Sequence, residues 1–145
     1  MRALPPTLLA IGLVALTSCG SSDTNIGTTD MWARPTAPDA ANAAFYGTIT
    51  NDTDVPIAFE SGYSRVCDRI EIHQSSMKDG VMSMAPADAA DTQLDPGESI
   101  VLEPMGFHVM CIGLEEPLVE GTPIELEMTF SGAGAVVAEV DVEQR

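Results

Sequence analysis

The sequence predicts an all-β domain, an antiparallel sandwich of about seven or eight strands. Two observations carry this. Short segments of alternating apolar and polar residues recur from Met31 onward, broken about every 8 to 12 residues by Gly, Pro, Asn or Asp, and no stretch shows the apolar spacing of a long helix. Removing the first 18 residues and a polar tether leaves about 115 residues, which is enough for one core and leaves no room for a second domain.

The elements follow in order. Ala43–Asn51 (AAFYGTITN) is β-prone and ends in a turn at Asn51-Asp52, and Ile57–Tyr63 reads as a short or edge strand. In Val66–His73 (VCDRIEIH), Val66, Ile70 and Ile72 alternate inward against Cys67, Arg69, Glu71 and His73, with Asp68 as the inward exception. This places His73 off the core face, at the end of its strand. Lys78-Asp79-Gly80 signals a hairpin turn joining Met77 to Val81–Ala85. Ala85–Asp95 is rich in Ala, Asp and Pro and reads as a loop, and Pro96-Gly97-Glu98 as a turn. Ser99–Glu103 and Phe107–Leu114 are strands joined through the bend Glu103-Pro104-Met105-Gly106. Pro123–Phe130 and Ala135–Val142 pair around Ser131–Gly134.

The N-terminus has the form of a signal peptide: a positive start at Met1-Arg2 and an apolar run, Leu8–Leu16, too short for a permanent membrane helix. It closes on Leu16-Thr17-Ser18-Cys19, which resembles the lipobox of bacterial lipoproteins, so Cys19 is expected to be the lipid-modified first residue of the mature chain. Residues 19–29 then form a flexible tether and 30–145 the domain. The acyl chains hold the protein at the cell membrane, facing the periplasm or the extracellular side.

Without Arg2 the mature chain carries five Lys and Arg against 22 Asp and Glu, a formal charge of −17. Such a surface repels nucleic acid and attracts cations at long range. Nucleic-acid binding is thereby excluded. The sequence also has no nucleophile elbow, no Gly-rich phosphate loop and no spare histidine to serve as a general base, so no enzyme activity is expected.

Both histidines and five of the eight methionines fall between His73 and Met110. Residues two apart on a strand share a face, so His108 and Met110 project together while Val109 turns away; Met82 and Met84 pair likewise. With His73, three segments can converge on one metal. Two imidazoles and two thioethers are neutral and borderline-to-soft donors, a set that suits Cu(I) better than zinc, magnesium or calcium.

At these residues the sequence resembles the PCuAC copper chaperones, bacterial extracytoplasmic Cu(I) carriers. Their motif is a histidine, ten residues, a methionine, a gap of about 21 residues and His-x-Met. Here ten residues separate His73 from Met84, and His108-Val109-Met110 closes the pattern. Ile70–His73, Gly80–Met84, Pro104–Leu114, Trp32-Ala33-Arg34 and Ala44–Asn51 also look like the family, so the resemblance covers nearly the whole domain. It implies a cupredoxin-like, Greek-key β-sandwich and a copper site formed by His73, Met84, His108 and Met110. It further implies delivery of copper to cytochrome c oxidase, with a Sco-type partner. Two departures stand out. The gap from Met84 to His108 is 23 residues, which the Ala85–Asp95 loop absorbs at little entropic cost. Met105 stands where these proteins tend to have glycine. Met77, Met82 and Met105 are possible auxiliary ligands or adaptable apolar filler.

Cys67 and Cys111 remain. In an oxidising compartment they suggest a disulfide, the alternatives being two buried thiols or Cys111 as a thiolate ligand. Strand parity sets Cys111 opposite His108 and Met110, which disfavours the thiolate and, with it, a blue-copper electron carrier. The leading expectation is a lipid-anchored Cu(I) chaperone. The alternatives are a surface lipoprotein with a Met-rich docking patch and, third, a copper electron carrier.

Overall fold

A computed structural model describes residues 25–145. The expected signal peptide and the lipobox with Cys19 lie outside the described residues. Nine strands are present: β1 Ile26–Ala33, β2 Asn42–Asn51, β3 Ala58–Tyr63, β4 Cys67–Lys78, β5 Val81–Pro86, β6 Ser99–Leu102, β7 Phe107–Leu114, β8 Ile124–Ser131 and β9 Gly134–Val142. Among the described residues there is no helix.

The strands form one continuous sheet in the order β3-β8-β9-β1-β2-β6-β7-β4-β5, and β3 also pairs with β4. That last pairing, Gly62 with Ile70, joins the two ends of an eight-strand run into a closed barrel. β5 stays outside the ring as the second strand of a hairpin arm built on β4. Closure depends on a close backbone approach, because a Cβ on Gly62 would collide with the Ile70 side chain.

The expected sandwich of two facing sheets is therefore corrected to a closed barrel. Both architectures repeat short strands with one face inward, and they differ in which edges pair, which alternation does not encode. The sheet is also not wholly antiparallel, since Trp32 and Ala33 of β1 run parallel to Asp141 and Val142 of β9. Three further expectations also shift. Ile26–Thr29, expected in the tether, form the start of β1 against Ile49–Asn51 and Thr48 of β2. β4 runs on to Lys78, so His73 lies within the strand, because β5 pairs with His73–Lys78. Cys67, expected to face outward, is buried in the core.

The barrel interior is filled by inward residues of every long strand, with Phe45, Ile49, Leu102, Val109, Leu126, Met128 and Val140 fully buried. Burying a side chain of this size contributes about 1.5–3 kcal/mol. Asn51, also fully buried, donates its Nδ2 hydrogens to the carbonyls of Val55 and Leu94 at 2.8 and 2.9 Å, which ties the loop after β2 to the segment before β6. Its Oδ1 accepts from the Thr53 backbone N–H at 3.0 Å, so the buried amide is fully used. Cys67 and Cys111 are joined in a disulfide with their Cα atoms 5.4 Å apart, linking the start of β4 to β7.

Candidate metal centre

The register of β4 with its neighbours puts the candidate donors on one outer face. His73 lies directly opposite His108, and Glu71 opposite Met110. On the other side of β4, Ser75 faces Met84 and Met77 faces Met82. Directly opposed residues in a sheet point the same way, so His73, Met77, Met82, Met84, His108 and Met110 share that face. Val109 and Cys111, of the other parity, are fully buried in the core.

A cavity of about 310 Å³ opens on this face. Its walls are Ser75 from β4, Met82 and Met84 from the hairpin arm, Pro104 and Met105 from the bend before β7, His108 and Met110 from β7, and Asn42–Ala44 with Tyr46 from β2. No carboxylate lines it. A larger cavity of about 400 Å³, between residues 63–66 and 116–125, contains no histidine, methionine or cysteine.

His108 is 97% buried, that is 3% exposed, and its two nitrogens have different surroundings. Nδ1 lies 3.2 Å from the Gly106 carbonyl, which can only accept, so Nδ1 carries the hydrogen. Nε2 then carries the lone pair, and it is buried with no hydrogen-bond partner. Burial pushes the imidazole below its ordinary value of 6.5; the Gly106 hydrogen bond opposes this, and His73 adds a smaller effect in the same downward direction. The ring is thus a neutral donor with an unused lone pair. An orphaned buried nitrogen is costly unless something meets it.

His73 has the opposite arrangement. Its ring centroid is 6.1 Å from that of His108, and its Nε2 lies 2.8 Å from Glu71 Oε2. Glu71 also receives Arg69 Nε at 2.6 Å. The hydrogen bond from His73, with the Arg69 charge adding to it, holds the Glu71 carboxyl below the usual carboxylate range. An ionised carboxylate can only accept, so the His73 hydrogen sits on Nε2 and the free lone pair on Nδ1. A carboxylate on the far nitrogen of a histidine is the usual support of a metal-binding imidazole.

The structure therefore gathers Met84, His108 and Met110 around one cavity and stands His73 beside it, turned toward Glu71. Of the auxiliary candidates, Met82 and Met105 line the cavity and Met77 does not. Tyr46, missed as a site residue by sequence reasoning, also lines it, with its ring centroid 6.4 Å from His108. Outward parity on β2 was visible in the sequence, but the pairing of β2 with β7 was not. Burial raises the Tyr46 phenol above its ordinary value. Glu71 and Arg69, two and four residues before His73, carry the i, i+2 signal that could have linked them to it.

Among the described residues no three His, Cys, Asp or Glu side chains come together in a way that could hold a metal. The sulfur donors that line this cavity are thioethers, and thioethers select soft ions.

A family model described as "Putative lipoprotein LpqE-like" matches residues 26–142. "Putative lipoprotein Lxx21020" of Leifsonia xyli subsp. xyli is 24% identical over 153 residues, covering 98% of this chain and 90% of its own length. Among solved structures, the copper-bound PCuAC domain from PmoF2 superposes with a TM-score of 0.67 at 21% identity, covering 83% of this chain and 94% of that one. The apo PCuAC domain from PmoF1 gives 0.66 at 23% identity, over 83% and 95%. The Cu(I) form of DR1885 from Deinococcus radiodurans gives 0.58 at 22%, over 81% and 79%. The barrel is thus the fold of PCuAC domains. The family match runs from the first strand to the last, and the chain belongs to the LpqE-like lipoprotein family.

Proposed function

We propose that this protein is a lipid-anchored extracytoplasmic Cu(I) chaperone that binds one copper ion through His73, Met84, His108 and Met110. The observation that carries this is the lone pair of His108 Nε2, buried and unpartnered on a residue that lines a carboxylate-free cavity beside Met84 and Met110. The likeness of the fold to domains solved with copper bound supports the same reading.

Copper here is cargo. All four donors are neutral, so a monovalent ion is held without burying a carboxylate, and the acidic surface draws cations toward the molecule at long range. Met84 is 55% exposed on the hairpin arm, whereas His108 is buried. An acceptor can displace the exposed thioether first and the deeper donors afterwards, one ligand at a time. Lipid on Cys19 confines this exchange to the membrane surface on the periplasmic or extracellular side. The acceptor we infer is a copper site of cytochrome c oxidase, reached with a Sco-type partner. No catalytic step forms part of this role.

Anaerobic Cu(I) titration against a competing chelator tests it. The parent chain should bind one equivalent, and the Met84→Ala/His108→Ala variant should lose most of that affinity. If the parent binds no Cu(I), or the variant binds equally well, the site is wrong. Met77, Val81 and Met82, all exposed on the hairpin arm, then favour a protein-docking lipoprotein.

A further inference from the structure

Two thioethers on the cavity wall lie outside the four-donor set. Met105 is the third residue of the Glu103–Gly106 turn, in which the Gly106 N–H donates to the Glu103 carbonyl at 3.0 Å and Pro104 stands second. Its φ is +70°. A turn with proline second and positive φ third favours glycine at that third position, because a Cβ there crowds its own backbone. Packing does not offset the strain, since Met105 is 65% exposed. The side chain does, however, line the cavity. Strain retained at an exposed position points to a use for the side chain.

Met82 lines the same cavity and is 47% exposed. It shares the outer face of β5 with Met84, two residues on. Met82, Met84 and Met105 are therefore the exposed methionines of this cavity, while His108 is its buried histidine.

We propose that Met82, Met84 and Met105 form a second, three-thioether Cu(I) position at the mouth of the cavity, through which copper enters and leaves the histidine-containing site. This rests on reading the cavity as a Cu(I) site. Met84 belongs to both positions, so the ion passes between them while keeping one sulfur. Oxidation state and charge stay constant: on moving outward the ion gives up His73, His108 and Met110 and takes up Met82 and Met105, all neutral donors, so its coordination falls from four to three. Three soft thioethers are selective for Cu(I) but lack imidazole, so this outer position is the weaker of the two.

The test uses the full chain carrying His73→Ala and His108→Ala, titrated anaerobically with Cu(I) against a competing chelator and examined by copper K-edge X-ray absorption. One Cu(I) is expected, bound more weakly than by the parent, with a first shell of sulfur alone. Adding Met82→Leu and Met105→Leu should abolish it. If the chain without the two histidines binds no Cu(I) while the parent binds one with nitrogen in its shell, the outer position is refuted and the four-donor site stands. Binding that survives the two leucine substitutions also refutes it. A parent that binds no Cu(I) overturns both. Should the chain without histidines fail to fold, Met82→Leu/Met105→Leu with both histidines intact decides the question. It should release Cu(I) to the chelator more slowly than the parent; equal or faster release overturns the proposal.

Discussion

His73 stands directly opposite His108 across the β4–β7 pair, yet its Nε2 is bound at 2.8 Å to Glu71, two residues back on its own strand. The two rings consequently offer different atoms, Nδ1 from His73 and Nε2 from His108. Glu71 fixes the His73 tautomer, and Arg69 holds Glu71 from the other side at 2.6 Å. Substituting Glu71→Ala should weaken Cu(I) binding by about tenfold or more, the usual consequence of losing such a support. It should also return the His73 ring to a mixture of tautomers, readable from its ¹⁵N shifts. If affinity and tautomer are both unchanged, Glu71 plays no part in the site.

His108 makes apo stability depend on pH. Burial lowers its folded pKa below the ordinary 6.5, so on acidification the unfolded chain takes up a proton before the folded one does. The contribution is present above pH 6.5 and is lost as pH falls through the lowered folded value. Urea unfolding of the apo chain should show this loss on going from pH 7 toward pH 5. In His108→Gln, which cannot titrate, the corresponding part of the slope should disappear. A slope identical in both proteins would show that His108 is not held neutral by the fold.

Met105 gives a backbone test that needs no copper. Its φ of +70° costs an L residue about 1–2 kcal/mol, of which glycine returns part through its larger entropy in the unfolded chain, about 0.5–1 kcal/mol. Met105→Gly and Met105→Ala both remove the thioether, but only glycine relieves the strain. The glycine variant should therefore be the more stable of the two by about 0.5–1 kcal/mol in thermal or urea unfolding. Equal stabilities would mean that the turn carries no strain at this residue.

The particulars of this fold separate what a linear pattern encodes from what it does not. The strands at Ala43–Asn51, Phe107–Leu114 and the terminal pair were legible because inward and outward residues alternate there. The Asp79-Gly80 turn was legible because few residues other than these accept positive φ, and both have it, at 51° and 78°. Barrel closure was not legible, since it hangs on one approach of Gly62 to Ile70 between strands whose proximity only the whole topology creates. The same holds for Tyr46, brought beside His108 by the β2–β7 pairing. Cys67 departed from its parity because it lies at the first residue of β4, where the strand is held to the barrel by the bond to Cys111. The shared face of His108 and Met110 was readable from their spacing alone; which nitrogen each ring offers was not, because it depends on Glu71 and the Gly106 carbonyl.

The Cys67–Cys111 bond closes a loop across 44 residues of sequence that includes β4, β5 and β6. Cross-linking over such a span removes much of the freedom of the unfolded chain, and Cys67→Ala/Cys111→Ala should cost about 2–4 kcal/mol in unfolding. Copper binding should respond differently. Cys111 is fully buried among the core residues, whereas His108 and Met110 have the opposite strand parity. At a temperature where the double variant remains folded, it should therefore bind Cu(I) with nearly the parent's affinity, while thiol labelling of the unreduced parent finds neither cysteine free. A folded double variant that no longer holds copper would show that a cysteine is a ligand, and the donor set would have to be redrawn around a thiolate.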